Sequence, residues 1–487
     1  MDADEFREFG KNAVDYIADY LENIRDRKVI SSKKPGFLEK SFSDLPPTAG
    51  DPWQKVLQDV DESIVPGLTH WHSPNFHAFY PTSNSFPGIV GELFCAGLGS
   101  VSKDWTSNPA CVELEVKMMD WLGKLLGLPE EFLNCSEGPG GGVIQNAASE
   151  STLVAVLSGV ARSVKQQLDH DPTQSEADIK QKLVAYTSLH ANCSVEKAGL
   201  LTSVPMRLVQ TDEHYCLRGE TLEEAIKKDR EQGLIPCCVV ATLGTTGTCS
   251  FDNLEEIGEV CKRENIWLHI DAAYAGAAFV CPEYRHYMKG VENADSFNFN
   301  PHKWFLINSD CSAMWFKDTR DFVRAYRVKK SVPETEIQPQ THYYPVDLEN
   351  WQIPNIRRFR ALKIWFVLRI YGAQGMRRHI RHQISLAEYF AELLKGDDRF
   401  EVITCVMGLV CFRVRGEDIL TRKLLDKLTE RRNIFLIPYM HEDKLLIRFV
   451  ICSAFTQKED ITYAWNEILS QLELVFGTHP REAAIKE

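Results

Sequence analysis

Apolar residues recur at three- and four-residue steps through Phe6, Phe9, Ala13, Tyr16, Ile17, Tyr20, Leu21 and Ile24, which predicts an amphipathic helix over residues 4–25. That stripe needs a surface to cover. The following segment, through Pro35, Pro46, Pro47 and Gly50, is a poor former of regular structure and reads as an extended connection. From about residue 85 to 370, apolar bursts alternate with helical patterns, as in α/β architecture. The clearest bursts are Leu183–Tyr186, Pro236–Thr242, Ile266–Ile270, Ser296–Phe299 and Cys311–Phe316, short enough for strands buried on both faces. The run Glu137-Gly138-Pro139-Gly140-Gly141-Gly142 cannot be a helix interior and reads as a loop.

The pattern changes near the end of the chain. A helix around His379–Leu394 precedes strand candidates within Phe400–Val414, at Ile434–Pro438 and at Lys444–Cys452, with His441-Glu442-Asp443 as turn material between the last two. A final helix is expected over Ile461–Phe476. These elements describe a small α+β unit. The resulting division is 1–84 as a helical arm, 85–375 as a large domain and 376–487 as the small domain.

Composition narrows the class of protein. With 487 residues, 44% hydrophobic and 25% charged, the chain is globular rather than fibrous or disordered. A net charge of −13 argues against a broad nucleic-acid or anionic-membrane footprint, which needs clustered Lys and Arg. The start, MDADEFREFG, carries no basic leader, and no later run suggests a membrane span, so a cytoplasmic location is expected. The 14 Cys include no CxxC spacing, so no metal site is expected and they read as small buried hydrophobes. The NxS patterns at Asn134 and Asn192 are assigned no role.

Three local signals could carry chemistry. In Asn298-Phe299-Asn300-Pro301-His302-Lys303-Trp304 a strand-like run ends in a polar cluster with one lysine, placed where α/β sheets bind ligands. Such a lysine can form a Schiff base with an aldehyde, although a solvated lysine beside a turn has the same pattern. In Ile266-Trp267-Leu268-His269-Ile270-Asp271, an aspartate ends a buried strand and needs compensation from a protonated pyridine nitrogen, a metal, an arginine or a helix-capping role. The glycine run leads through Ile144-Gln145-Asn146-Ala147-Ala148-Ser149 into a helix, which offers an anion cradle or an ordinary connection. It is not a dinucleotide fingerprint. Together the three supply a phosphate cradle, a buried acid and a Schiff-base lysine, the minimum for holding pyridoxal phosphate.

These segments, with His269-Ile270-Asp271-Ala272-Ala273-Tyr274, Gly141-Gly142-Val143-Ile144-Gln145, Ala148-Ser149-Glu150 and Trp351-Gln352-Ile353-Pro354, resemble the pyridoxal-phosphate-dependent aromatic L-amino acid decarboxylase family (group II). The resemblance runs in unbroken order over roughly residues 1–480. It implies the fold type I, PLP-dependent transferase-like architecture: a large domain with a mostly parallel sheet flanked by helices, plus a small C-terminal α+β domain. It also implies an obligate homodimer whose N-terminal segment exchanges between subunits. Carried onto this chain, it gives Lys303 as the lysine linked to pyridoxal 5'-phosphate and Asp271 as partner of the pyridine nitrogen. Ala148, Ser149, Asn300 and His302 are implied to hold the phosphate, Ala273 to pack on the ring, Thr246 to lie beside the cofactor and Thr82 to line the substrate cavity.

Two departures bear on the reaction. Where the decarboxylases carry a histidine stacked over the cofactor, this chain has Asn192, with His190 two residues earlier. Asparagine here is similar to the insect aldehyde synthases of the family that act on 3,4-dihydroxyphenylalanine. The catalytic-loop tyrosine of the decarboxylases is also missing from Lys330–Ile337, with Tyr343 and Tyr344 following later. A further change is Asn355-Ile356, where the family usually has Leu-Gly. The resemblance therefore implies decarboxylation with oxidative deamination, using O2 as co-substrate and Asn192 at the branch. An ordinary amine-producing decarboxylase is the alternative, and a catalytically silent dimeric scaffold is a third reading.

Overall fold

A computed structural model describes residues 1–326, 348–441 and 443–477. The chain divides into two compact units, Met1–Pro81 with Ser385–Glu487, and Thr82–Ile384. The larger unit is built on seven strands: β1 (Gly141–Gln145), β2 (Leu183–Ser188), β3 (Met206–Val209), β4 (Ile235–Thr242), β5 (Trp267–Asp271), β6 (Ser296–Phe299) and β7 (Ser312–Phe316). Their order across the sheet is β1-β7-β6-β5-β4-β2-β3. Strands β3, β2, β4, β5 and β6 are mutually parallel, and β7 runs antiparallel to both of its neighbours. Since β1 opposes β7, it points the same way as β4, β5 and β6. The carboxyl ends of β1, β2, β4, β5 and β6 therefore gather at one edge of the sheet.

The five apolar bursts lie in β2, β4, β5, β6 and β7, which are buried along nearly their whole length. The glycine run departs from expectation. Gly141 and Gly142 do not continue the loop but open β1, and only the preceding residues are irregular. The reason lies far away in sequence. A Cβ at Gly141 would meet Asn134 Oδ1 at 2.5 Å, and one at Gly142 would meet the Trp315 ring at 2.6 Å. The glycines are there to let two tryptophans and an asparagine pack on the strand, since Trp351 also stands 3.0 Å from the Cβ position of Gly141.

Helix Ala148–His170 crosses the sheet, and its Gly159 brings it within 2.7 Å, measured from an added Cβ, of the Cys237 carbonyl. Val154, Ala155, Val156 and Val164 of this helix pack with Val240 of β4, Trp267 of β5 and Met314 of β7 in one apolar core. The helix expected over His379–Leu394 is the last part of a longer element, Ala361–Lys395, interrupted at Gly372.

The smaller unit holds a second sheet, β8 (Phe400–Val406), β9 (Leu409–Val414), β10 (Ile437–His441) and β11 (Lys444–Val450), antiparallel throughout in the order β10-β11-β9-β8. Helices Asp418–Arg431 and Lys458–Gly477 contribute to its apolar core. The N-terminal segment joins this unit. Helix Ala3–Glu22 leads to Val29, whose amide donates to Arg432 O at 2.9 Å, and His77 N donates to Phe435 O at 2.9 Å. Among the described residues no disulfide joins any of the fourteen cysteines, and most of them are buried. Among the described residues, no helix is long and apolar enough to cross a membrane and no cluster of metal-ligating side chains occurs.

Candidate active site

The gathered strand ends bring most of the singled-out residues together. Asp271 ends β5, 4% exposed, and its Oδ1 accepts the Ala273 N–H at 2.9 Å. Burial raises its pKa above the usual carboxylate value, while the Lys303 charge and the Ala273 N–H act in the opposite direction. Of the compensations open to this aspartate from sequence, the helix cap is not what is found: Asp271 caps no helix, and the next helical turn begins at Ala275. A buried carboxylate that feels the charge of one lysine suits a cationic partner on a ligand.

Beyond β6, Asn300 leads into the short helix Pro301–Trp304, which carries His302 and Lys303. The His302 Nδ1 faces the backbone N–H of Cys311 at 2.9 Å. That group can only donate, so Nδ1 is the acceptor and Nε2 carries the proton. Burial, helped by the neighbouring Lys303 charge, pushes the His302 pKa down to about 4, so the ring is a neutral Nε2–H donor at physiological pH. Asn300 is buried, and its Oδ1 has no hydrogen-bond partner among the described residues.

At the end of β1 the chain turns through Asn146 into helix Ala148–His170. Its N-cap is Ala147, whose side chain offers no capping oxygen. The first N–H groups, those of Ala148 and Ser149, are left to an external acceptor at the positive end of a 23-residue helix. An uncapped helix start and a neutral imidazole N–H suit a phosphate. Ala273 is buried after Asp271, beside the carboxylate it bonds.

Asn192 follows β2 as the N-cap of helix Cys193–Thr202. Its Oδ1 accepts the Ser194 N–H at 3.0 Å, and its Nδ2 donates to Thr246 Oγ1, beyond β4, at 2.8 Å. Both ends of the amide are thus held. The ring of His190 packs edge-on against Tyr215 at 5.7 Å. Thr82 enters next to Ser83, whose amide donates to His302 O at 2.5 Å, so this segment lies against the Lys303 turn.

Asn134 is buried, donating to Asp120 at 3.1 Å and accepting from Gly142 N, so both NxS asparagines serve the fold. Lys330–Ile337, Tyr343 and Tyr344 lie outside the described residues. At the altered Asn355-Ile356, Ile356 is 74% exposed, and its carbonyl accepts from Gln352 Nε2 at 3.3 Å. Sequence reasoning missed Arg360, whose hydrogen-bond partners Asn146 and Asp310 lie 214 and 50 residues away; no local pattern marks such a pairing.

Residues 35–415 match the model of the pyridoxal-dependent decarboxylase conserved domain. The chain is 49% identical over 477 residues to a 3,4-dihydroxyphenylacetaldehyde synthase of Aedes aegypti, covering 98% of this chain and 91% of the relative. An aromatic-L-amino-acid decarboxylase of Drosophila melanogaster is 50% identical over 469 residues, covering 96% and 91%. Among solved structures, Oryza sativa TDC with PLP and tryptamine superposes with a TM-score of 0.92 at 32% identity, covering 97% of this chain and 99% of that one. With a matching sheet, a lysine and aspartate at adjacent strand ends and a phosphate-ready helix start, the chain belongs to the pyridoxal-dependent decarboxylase family.

Proposed function

We propose that this chain is an aromatic L-amino-acid aldehyde synthase with 3,4-dihydroxyphenylalanine as its substrate, acting as a cytoplasmic homodimer. One substrate, one O2 and one water would give 3,4-dihydroxyphenylacetaldehyde, CO2, NH3 and H2O2. Dioxygen takes two electrons and two protons to become peroxide, and water supplies the aldehyde oxygen. Lys303, Asp271, Ala148, Ser149, Asn300, His302, Ala273 and Thr246 would hold pyridoxal 5'-phosphate. When bound, that group supplies an electron sink for the pair released with carbon dioxide.

The chain's own residues set the outcome. Asp271 keeps a proton on the pyridine nitrogen, because its buried carboxylate is best compensated by a cation there. The Ala148 and Ser149 amides and His302 Nε2–H bind the phosphate. Thr82 lines the aromatic side of the substrate. Asn192 is the observation that carries the reading: a held amide, its Oδ1 used by Ser194 and its Nδ2 by Thr246, with no proton that titrates in the physiological range. Protonation of the substrate carbon from this side is slowed, which favours oxygen. The activity named for the Aedes aegypti relative supports the same direction. Exposed Phe86, Val90, Leu93 and Leu98 along helix Phe86–Leu98 form an apolar face that supports the homodimer.

The test is the product balance of purified protein in air and without oxygen. Aldehyde and peroxide formed in near one-to-one ratio with CO2 are expected. Stoichiometric amine with no oxygen uptake would refute the reading and assign the activity named for the Drosophila melanogaster relative. Asn192→His should move flux toward amine; since ~1.4 kcal/mol alters a rate ratio tenfold, a single side chain is enough.

A further inference from the structure

The phosphate cradle is assembled from two segments that approach from different strands. One is the helix start at Ala148 and Ser149, which follows β1. The other is His302, oriented by the backbone of Cys311 just ahead of β7. The strands behind them are paired, Gln145 of β1 opposite Ser312 of β7, and Ser151 Oγ meets Ser312 Oγ at 3.0 Å. A further group joins the two turns beyond that pairing.

Arg360 is 6% exposed and lies between them. Its Nη2 donates to Asn146 Oδ1 and to Asp310 Oδ2, the latter at 2.7 Å, and its Nε reaches the same Asp310 oxygen at 3.2 Å. Asn146 stands two residues before the helix start and is itself held, its N and Nδ2 donating to Glu150 Oε2 at 2.8 and 2.6 Å. Asp310 immediately precedes Cys311. The Arg358 Nη1 also reaches Asp310 Oδ1, at 3.4 Å. One planar guanidinium therefore ties the turn that delivers the helix amides to the turn that orients the imidazole.

We infer that Arg360 is a positioning residue for the cofactor phosphate, holding the Ala148–Ser149 amides and the His302 Nε2–H in register before the ligand arrives. This rests on the reading that those groups take the phosphate. A lysine does not reproduce it, because its single ammonium nitrogen lacks the second donor, Nε, that joins Nη2 on Asp310. Loss of the bridge leaves each donor and the β1–β7 pairing in place but frees the turns at Asn146 and Asp310, so the phosphate must order them on binding. The ring, the aldehyde and their partners Asp271 and Lys303 are not part of this bridge.

The experiment compares two ligands on the full-length chain stripped of cofactor: pyridoxal 5'-phosphate and pyridoxal, which has the same ring and aldehyde without the phosphate. Binding is read from the absorption of the bound aldehyde. Arg360→Lys and Asn146→Ala should each weaken the phosphorylated ligand by about tenfold or more, the scale of loss when a group supporting a ligand-holding residue is removed. Affinity for pyridoxal should stay within about twofold, because no hydrogen bond to it is lost. Asn146→Ala keeps the Arg360–Asp310 ion pair, so it tests the bridge even where the arginine variant fails to fold. Equal losses for both ligands would overturn the inference and leave Arg360 a general support of the fold. No loss for either ligand would overturn it as well. His302→Phe, which removes a side-chain donor assigned to the phosphate, separates the two levels. If it too shows no preference for losing the phosphorylated ligand, the phosphate reading fails with the inference; if it alone shows that preference, only the role of Arg360 fails.

Discussion

Glu115 and Arg357 form an ion pair with both side chains only 1% exposed, and it sets the end of β1 from which the phosphate turn departs. Glu115 Oε1 accepts the Ile144 N–H at 2.9 Å as well as Arg357 Nη2, while Arg357 Nη1 donates to Gln352 Oε1 at 2.7 Å. Glu115→Gln keeps an acceptor for Ile144 but strands a buried guanidinium, and Arg357→Met strands a buried carboxylate. Each should cost about 3–5 kcal/mol, the scale of an uncompensated charge at such depth. The double variant removes both charges and should lose less than either single change, giving a coupling energy of at least about 2 kcal/mol. Since the chain has two compact units, a single unfolding midpoint mixes them; hydrogen exchange at the Ile144 amide reports the affected strand directly. Single changes each below about 1 kcal/mol, or a double variant equal to their sum, would refute the reasoning.

Two further outcomes rest on burial and close approach. Asp252 accepts the N–H groups of Thr242 at 2.7 Å and Leu217 at 2.9 Å, yet burial outweighs them and raises its pKa from 3.8 to about 7. A carboxyl raised in the folded state contributes stability below pH 3.8 that is lost as pH climbs through about 7. Asp252→Asn should therefore flatten the stability–pH profile between about 4 and 7, a window worth at most about 4 kcal/mol; an unchanged slope in urea titrations would count against it. Gly159→Ala would place a Cβ 2.7 Å from the Cys237 carbonyl, a backbone atom that cannot turn aside. Helix Ala148–His170 must shift, at a cost of about 1–3 kcal/mol less the ~1 kcal/mol helix-propensity gain of alanine. Weakened cofactor affinity with lowered stability is the expected result, and a stabilised variant would show that the helix yields freely.

How much of the fold and site was legible in the sequence depends on where the determining contacts lie. Strands β2, β4, β5, β6 and β7 announce themselves because burial on both faces demands unbroken apolar runs. Strand β3 does not, since Arg207 and Leu208 are exposed at the sheet edge and break the run. Strand β1 is hidden by Gly141 and Gly142, whose small size answers Trp315 and Trp351, residues well over a hundred positions away. Within the site, Lys303 and Asp271 were legible because a charged group closing an apolar strand requires a partner. The tautomer of His302 was not, because it depends on one backbone N–H of Cys311. Arg360 carried no signal at all for the same reason of distance: its two acceptors, Asn146 and Asp310, come from separate turns.

Asn192 joins fold and chemistry, since one side chain serves both the helix and the branch. Asparagine is among the strongest N-caps, worth about 1 kcal/mol over an uncapped start, and here its Oδ1 closes the first turn of helix Cys193–Thr202. With Oδ1 engaged and one Nδ2 hydrogen given to Thr246, the amide cannot turn its carbonyl toward the cavity without breaking both bonds. A residue with a titratable ring at this position would have to give up the cap to gain the proton. A neutral side chain at the branch is thus compatible with a well-formed helix, and Asn192→His should exchange stability for protonation: a loosened start of helix Cys193–Thr202 together with more amine. Observing the loosened helix with an unchanged product ratio would place the branch elsewhere and leave Asn192 a cap alone.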